Sequence, residues 1–262
     1  MSRLKIGMFE VKIRRKESSS SRIQSVISAL EQVPYKSLDL LILPELWIAG
    51  AFDFESNLKL DQGKIKKALY EVAKIAKHKQ MFIHSGTHPL VGANKKLTNT
   101  AIVFNNQGET ICTYKKIHLF GFENGEKSIF VQGDEMGYFE IKKSKVGVST
   151  CYDLRFPELY IKQIINGVKI ILISASWPKA RIYQWQQLLI ARAIESQSFV
   201  IGCNASGSSA GISLGSNSMV IDPLGKNLEL KNINGILTCT FNINTIEKHR
   251  SNFPVLQDRC KL

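Results

Sequence analysis

The 262-residue chain has no long apolar run. Its most hydrophobic stretches, residues 38–44 and 168–177, fall well short of the ~20 residues a membrane-spanning helix needs. Its start is a short apolar run followed by charge, without the longer apolar stretch and small-residue cleavage site of a signal peptide. It also lacks paired cysteines. Cys112, Cys151, Cys203, Cys239 and Cys260 are odd in number and widely spaced, and no two form a C-x-x-C. That pattern excludes a disulfide framework and a structural zinc site. Free thiols in a reducing cytoplasm are the expectation.

Acidic residues are scarce as well. Asp and Glu number 22 against 35 Lys and Arg, a net charge of +13. Such a balance invites a nucleic-acid partner. The basic residues are nevertheless scattered over 12–16, 64–79, 95–96, 115–116 and 142–145. No helix-turn-helix, zinc finger or aromatic-rich RNA-recognition motif accompanies them. The expectation is therefore no nucleic acid and no membrane. A solvated lysine surface is the plain reading, and a field that attracts a small anionic substrate is the other.

Hydrophobic residues at 44% and charged ones at 22% are an ordinary globular balance. A chain of this length buries a core without staples. No linker, repeat or composition break divides it, so one domain over 1–262 is expected. Residues 3–9, 38–43 and 81–86 read as strands. The continuous apolar run at 38–43 suits burial on both faces. Ile23, Val26, Ile27, Leu30 and Val33 recur at helical spacing, and Ile65, Ala68, Leu69, Val72, Ile75 and Ala76 form a second stripe. Two hairpin signals follow, at 98–114 and at 137–150. Helices at 156–166 and 180–197 then alternate with strands at 169–174 and 198–204, and the segments at 217–222 and 235–242 close the sheet. Helices packed outside a mixed sheet, or two such layers face to face, account for this order.

Three segments place a reactive side chain just beyond a strand, where α/β sheets gather their sites. "LILPELW" presents Glu45, "TYKKIHLFG" presents Lys115, Lys116 and His118, and "KVGVSTCYDLRFPELY" presents Cys151. A cysteine at a strand-to-helix turn is a strong nucleophile if a base takes its proton, and otherwise an inert buried thiol. A glutamate at the mouth of a dry cleft suits a general base, and otherwise a loop or cap carboxylate. A fixed ammonium stabilises both a thiolate and an oxyanion, although a lone lysine is more often on the surface.

Taken together, these segments resemble the nitrilase, or carbon–nitrogen hydrolase, superfamily. The match rests on Glu45 in "LPE", Lys116 in "YKKIHLF" and Cys151 in "CYDLRFPEL". It continues through "GEKSIFVQGD", "ARAIESQSFVIGCN" and "SMVIDPLG", so it covers nearly the whole chain. The resemblance implies an α/β fold, a four-layer α-β-β-α sandwich, often dimerised through helices. It implies a Cys–Glu–Lys triad with no metal or organic cofactor, and a second glutamate matched by Glu126. His118 is then a loop support, and Lys115 lies outside the chemistry. The backbone N–H of Tyr152 would join Lys116 at the oxyanion.

The segments around Cys151 and Trp177 most resemble the ω-amidase-like branch. That branch releases ammonia from small ω-amides of dicarboxylic acids, such as 2-oxoglutaramate or succinamate, through a thioester. Another superfamily amidase, acting on deaminated glutathione or an N-carbamoyl amine, is the alternative. A non-catalytic basic binding protein on the same fold is the more distant one. Trp177 is read as a pocket wall or a plain core residue. Arg181 and Arg155 are the candidates to receive a substrate carboxylate. Arg155 is expected instead to pair with Asp153 or Glu158. Glu10, Ser216 and Leu224 stand where relatives often carry Gln, Gly and Trp.

Overall fold

The structure is a computed structural model that describes residues 3–92, 95–121 and 125–260. The two ends of the expected 1–262 unit and residues 122–124, ahead of Glu126, lie outside the described residues. The first half of the chain forms β1 (Arg3–Met8), β2 (Lys12–Ile13), α1 (Ser19–Glu31), β3 (Leu40–Ile42), α2 (Phe54–Lys59), α3 (Gln62–Lys79), β4 (Phe82–Val91), β5 (Leu97–Phe104) and β6 (Thr110–Lys115). The second half forms β7 (Gly137–Ile141), β8 (Ser144–Thr150), α4 (Pro157–Ile165), β9 (Ile170–Ala175), α5 (Ile182–Ser196) and β10 (Phe199–Asn204). The short strands β11 (Ser206–Ser209), β12 (Ile212–Ser213), β13 (Met219–Ile221) and β14 (Lys231–Ile233) follow, with β15 (Ile236–Asn242) and α6 (Asn244–Asn252) last.

One sheet has seven strands in the order β14-β15-β1-β3-β4-β5-β6, and a second has five in the order β13-β10-β9-β8-β7. The segments expected to close one sheet therefore close two. Residues Met219–Ile221 pair with β10, whereas β15 returns to pair with β1. The period-2 geometry of a strand explains the layering. Leu40 and Ile42 point into the core between the sheets, together with Ile170 and Leu172 of the facing sheet. Leu41 points the other way, onto α1 and α3. Ile171 and Ile173 likewise point outward, onto α4 and α5. Both sheets are thus covered on both faces, which gives four layers, α-β-β-α.

Helix boundaries follow local chemistry. Ser18 caps α1 by accepting from the Ser21 N–H, and Asp61 caps α3 by accepting from the Lys64 N–H. Pro157 opens α4, where a missing N–H costs nothing. The apolar stripe read from residues 65–76 is the buried face of α3. Ser216 has φ +48°, a left-handed conformation that glycine adopts without strain.

Candidate active site

Glu45, Lys116, Glu126 and Cys151 converge at one end of the sheets. Glu45 follows β3 in a turn, Lys116 follows β6, and Cys151 follows β8. On β6 alternate residues face opposite ways, so Lys115 is exposed while Lys116, next along the chain, is 1% exposed. The Lys116 Nζ donates to Glu45 Oε1 at 2.7 Å and to Glu126 Oε2 at 2.7 Å. Both glutamates are 2% exposed. Burial works against the Lys116 ammonium, but Glu126 and Glu45 outweigh it and hold its pKa well above the ordinary lysine value. Burial, with Glu45 nearby, raises the Glu126 carboxyl, and Lys116 opposes this.

Cys151 has φ +47°, a left-handed conformation that is costly for any residue with a Cβ. Asp153 supports this turn. Its carboxylate accepts from the Thr150 N–H at 2.9 Å, the His118 N–H at 2.9 Å and the Tyr114 hydroxyl at 2.7 Å. The His118 Nδ1 also lies 2.8 Å from it, with the ring stacked on Phe156 at 3.9 Å. His118 is thus a brace between two loops. Burial pushes the Cys151 thiol well above its ordinary range. The neighbouring Glu45 adds to this, and Lys116 opposes it. At rest, burial thus favours the neutral thiol over the thiolate.

Around these four groups stand Phe52, Phe120, Tyr152, Trp177, Arg155 and Arg181. Trp177 is a wall of the pocket, fixed by its indole N–H donating to the Arg181 carbonyl at 2.9 Å. The Tyr152 ring meets Phe120 edge-on at 5.3 Å, and the Arg181 guanidinium lies 5.6 Å from the Phe120 ring centre. Arg155 departs from expectation. It donates to Gln184 Oε1 at 2.6 Å and lies over the Trp177 ring. Asp153 has no capacity left for it, since the Thr150–Tyr114–His118 bonds occupy that carboxylate, and Glu158 is exposed to solvent.

The structure adds residues that the sequence reading passed over. Asn99 on β5 donates to Glu45 Oε1 at 3.0 Å and to Glu126 Oε1 at 2.8 Å. The Ser176 N–H donates to Glu45 Oε2 at 3.1 Å, and its hydroxyl donates to the Glu45 carbonyl at 2.8 Å. A signal for Asn99 existed. It stands two and four residues before Ala101 and Val103, which face the core between the sheets, so a polar residue occupies an inward position. Among the described residues, no group of three or more His, Cys, Asp or Glu side chains could hold a metal ion.

A cysteine, two glutamates and a lysine gathered at one end of a four-layer sandwich point to a class, and comparison with known proteins agrees. The carbon–nitrogen hydrolase family model matches residues 5–250, so the chain belongs to that family, within the nitrilase superfamily. It is an enzyme of non-peptide carbon–nitrogen bonds. Among its relatives, a 2-oxoglutaramate amidase of Paenarthrobacter nicotinovorans is 37% identical over 93% of this chain and 84% of its own. A 2-oxoglutaramate amidase of Bacillus subtilis (strain 168) is 36% identical over 85% of each chain. A solved CN-hydrolase superfamily protein from Xanthomonas campestris, with an arsenic adduct in its active site, superposes with a TM-score of 0.87 at 28% identity. The match covers 100% of this chain and 99% of that one.

Proposed function

We propose that the protein hydrolyses the side amide of a small ω-amide of a dicarboxylic acid, of the 2-oxoglutaramate or succinamate type, with Cys151 as nucleophile. The observation that carries this is the buried Cys151 beside the Glu45–Lys116–Glu126 cluster, in a pocket lined also by two arginines. The names of the two amidase relatives support the substrate class.

Glu45 takes the thiol proton and the sulfur attacks the amide carbonyl. Lys116 and the backbone N–H of Tyr152 hold the developing oxyanion, a contribution of about 10²–10³-fold per donor. Glu45 returns its proton to the nitrogen, and the C–N bond breaks to release ammonia and leave a thioester. A water deprotonated by Glu45 then attacks the thioester, giving the acid and the free thiol. Each proton transfer contributes roughly 10²–10⁴-fold. Glu126 faces the same pocket and anchors Lys116. Arg181 receives the substrate's carboxylate: both guanidinium groups lie against a ring, but Arg155 also donates to Gln184. The basic surface draws in such an anion.

The test is ammonia release from 2-oxoglutaramate, succinamate, asparagine, glutamine, deaminated glutathione, a carbamoyl amine and a neutral aliphatic amide. The ω-amides should turn over, C151A should be dead, and R181Q should raise KM at least about tenfold for the ω-amides only. Turnover confined to deaminated glutathione or the carbamoyl amine would replace the substrate assignment. We further propose one functional unit spanning the chain, a cytoplasmic location in keeping with five free thiols, and a homodimer.

A further inference from the structure

The buried cluster sets a problem that its ammonium alone does not solve. Two carboxylates repel each other in a dry site, and among the described residues Lys116 is the one cation bonded to both. During the reaction proposed above, that ammonium must also turn toward an oxyanion. Something else has to keep the glutamates in place. The Asn99 side chain bonds both carboxylates at once, at 3.0 and 2.8 Å. It is 1% exposed and sits on a paired strand, its carbonyl accepting from the Lys116 N–H at 2.9 Å. Among the described residues its own Oδ1 has no partner, so both of its N–H bonds go to carboxylates and its carbonyl is kept away from them.

Lone-pair counting extends the argument. A carboxylate oxygen accepts about two hydrogen bonds. Glu45 Oε1 already accepts two, from Asn99 and Lys116, whereas Oε2 accepts one, from the Ser176 N–H. The free lone pair is on Oε2. We infer that Asn99 is a positioning residue that ties Glu45 to Glu126 and saturates Glu45 Oε1, so that Oε2 is the oxygen that takes the Cys151 proton. The titratable groups facing the amide are Glu45 after β3, Glu126 beyond β6 and Lys116 at the end of β6, with Cys151 beside Glu45. The inference rests on the thiol–glutamate reading but not on the identity of the amide.

The test uses N99D, nearly the same shape but without the two donors. Two readouts are followed from pH 5 to 9: ω-amide hydrolysis, and alkylation of Cys151 by iodoacetamide measured on the Cys151 peptide by mass spectrometry. A third carboxylate in the cluster should move the acid limb of both profiles up by about one pH unit. It should lower kcat about 10²-fold with KM within about twofold. N99S removes both donors without adding charge, so it should lose kcat similarly with a smaller shift, and it carries the test if N99D does not fold. Unchanged limbs with kcat within about threefold of wild type in the folded variant overturn the inference. A shifted alkylation limb in a protein that hydrolyses no ω-amide supports the inference and removes only the substrate assignment.

Discussion

At the scale of single residues, burial decides which groups carry charge. Lys116 keeps its charge out of water because Glu126 and Glu45 each bond its ammonium at 2.7 Å, which outweighs the burial. His84 and His88 on β4 show the opposite outcome. Both rings are buried among neutral groups. Burial lowers them from 6.5 to about 3 and about 4 respectively, so both are neutral in the folded protein. In the unfolded chain they would take up protons below 6.5. Stability is therefore whole above that pH and is lost as pH falls toward 4, by about 2 kcal/mol per ring at pH 5. Urea midpoints at pH 7 and pH 5 measure this. H88Q, less stable overall, should show a smaller drop between the two; an equal drop would clear that imidazole of the effect. Glu45, Lys116 and Cys151 were legible in the sequence because each stands just beyond a strand. Asn99 lies within a strand, so only its inward polar position marked it, and that position does not name its partners, 54 and 27 residues away along the chain.

At the scale of elements, the turn that carries Glu45 is shaped by its neighbour strand. β4 has a bulge between His84 and Thr87. The Gly86 N–H donates to His84 Nδ1, the Leu46 N–H to the Thr87 hydroxyl, and the Trp47 indole N–H to the Ser85 carbonyl. Gly86 has φ +75°, and a Cβ there would stand 2.1 Å from the Pro44 carbonyl oxygen and 2.8 Å from Trp47. G86A must therefore displace the residues on either side of Glu45. A stability loss of at least about 3 kcal/mol is expected. Urea titration reads the loss, and kcat should fall with it; a variant with wild-type stability and kcat would show that the turn does not depend on the bulge. The sequence hid this device. A strand read as 81–86 runs on to Val91 through glycine and proline, residues that ordinarily end a strand. α2 and α6 went unread for a related reason. Each buries a single residue, Asn57 or Ile246, so neither shows a stripe. β3 and β9 were legible because sheets covered on both faces demand unbroken apolar runs.

At the scale of the whole molecule, two features of the surface remain for function to use. One is the scattered positive charge. The other is apolar and lies on the outer side of the five-stranded sheet. Ile194 on α5, Leu224, Phe253 and Val255 border a single groove, with Leu224 69% and Phe253 60% exposed. An apolar groove of this kind suits a second copy of the chain. Sedimentation velocity should give twice the chain mass, and L224D should give a monomer; a wild-type monomer at micromolar concentration would rule the homodimer out.

The strand order of the larger sheet also bears on how the protein is made. β1 lies between β3 and β15, joined to β15 in antiparallel register from Arg3↔Asn242 to Met8↔Leu237. During synthesis β1 leaves the ribosome long before β15, the partner for one of its edges. Until β15 emerges that edge stays open, and contacts of such sequence separation form slowly. A growing chain with an unpaired apolar strand is the form of this protein most in need of a chaperone.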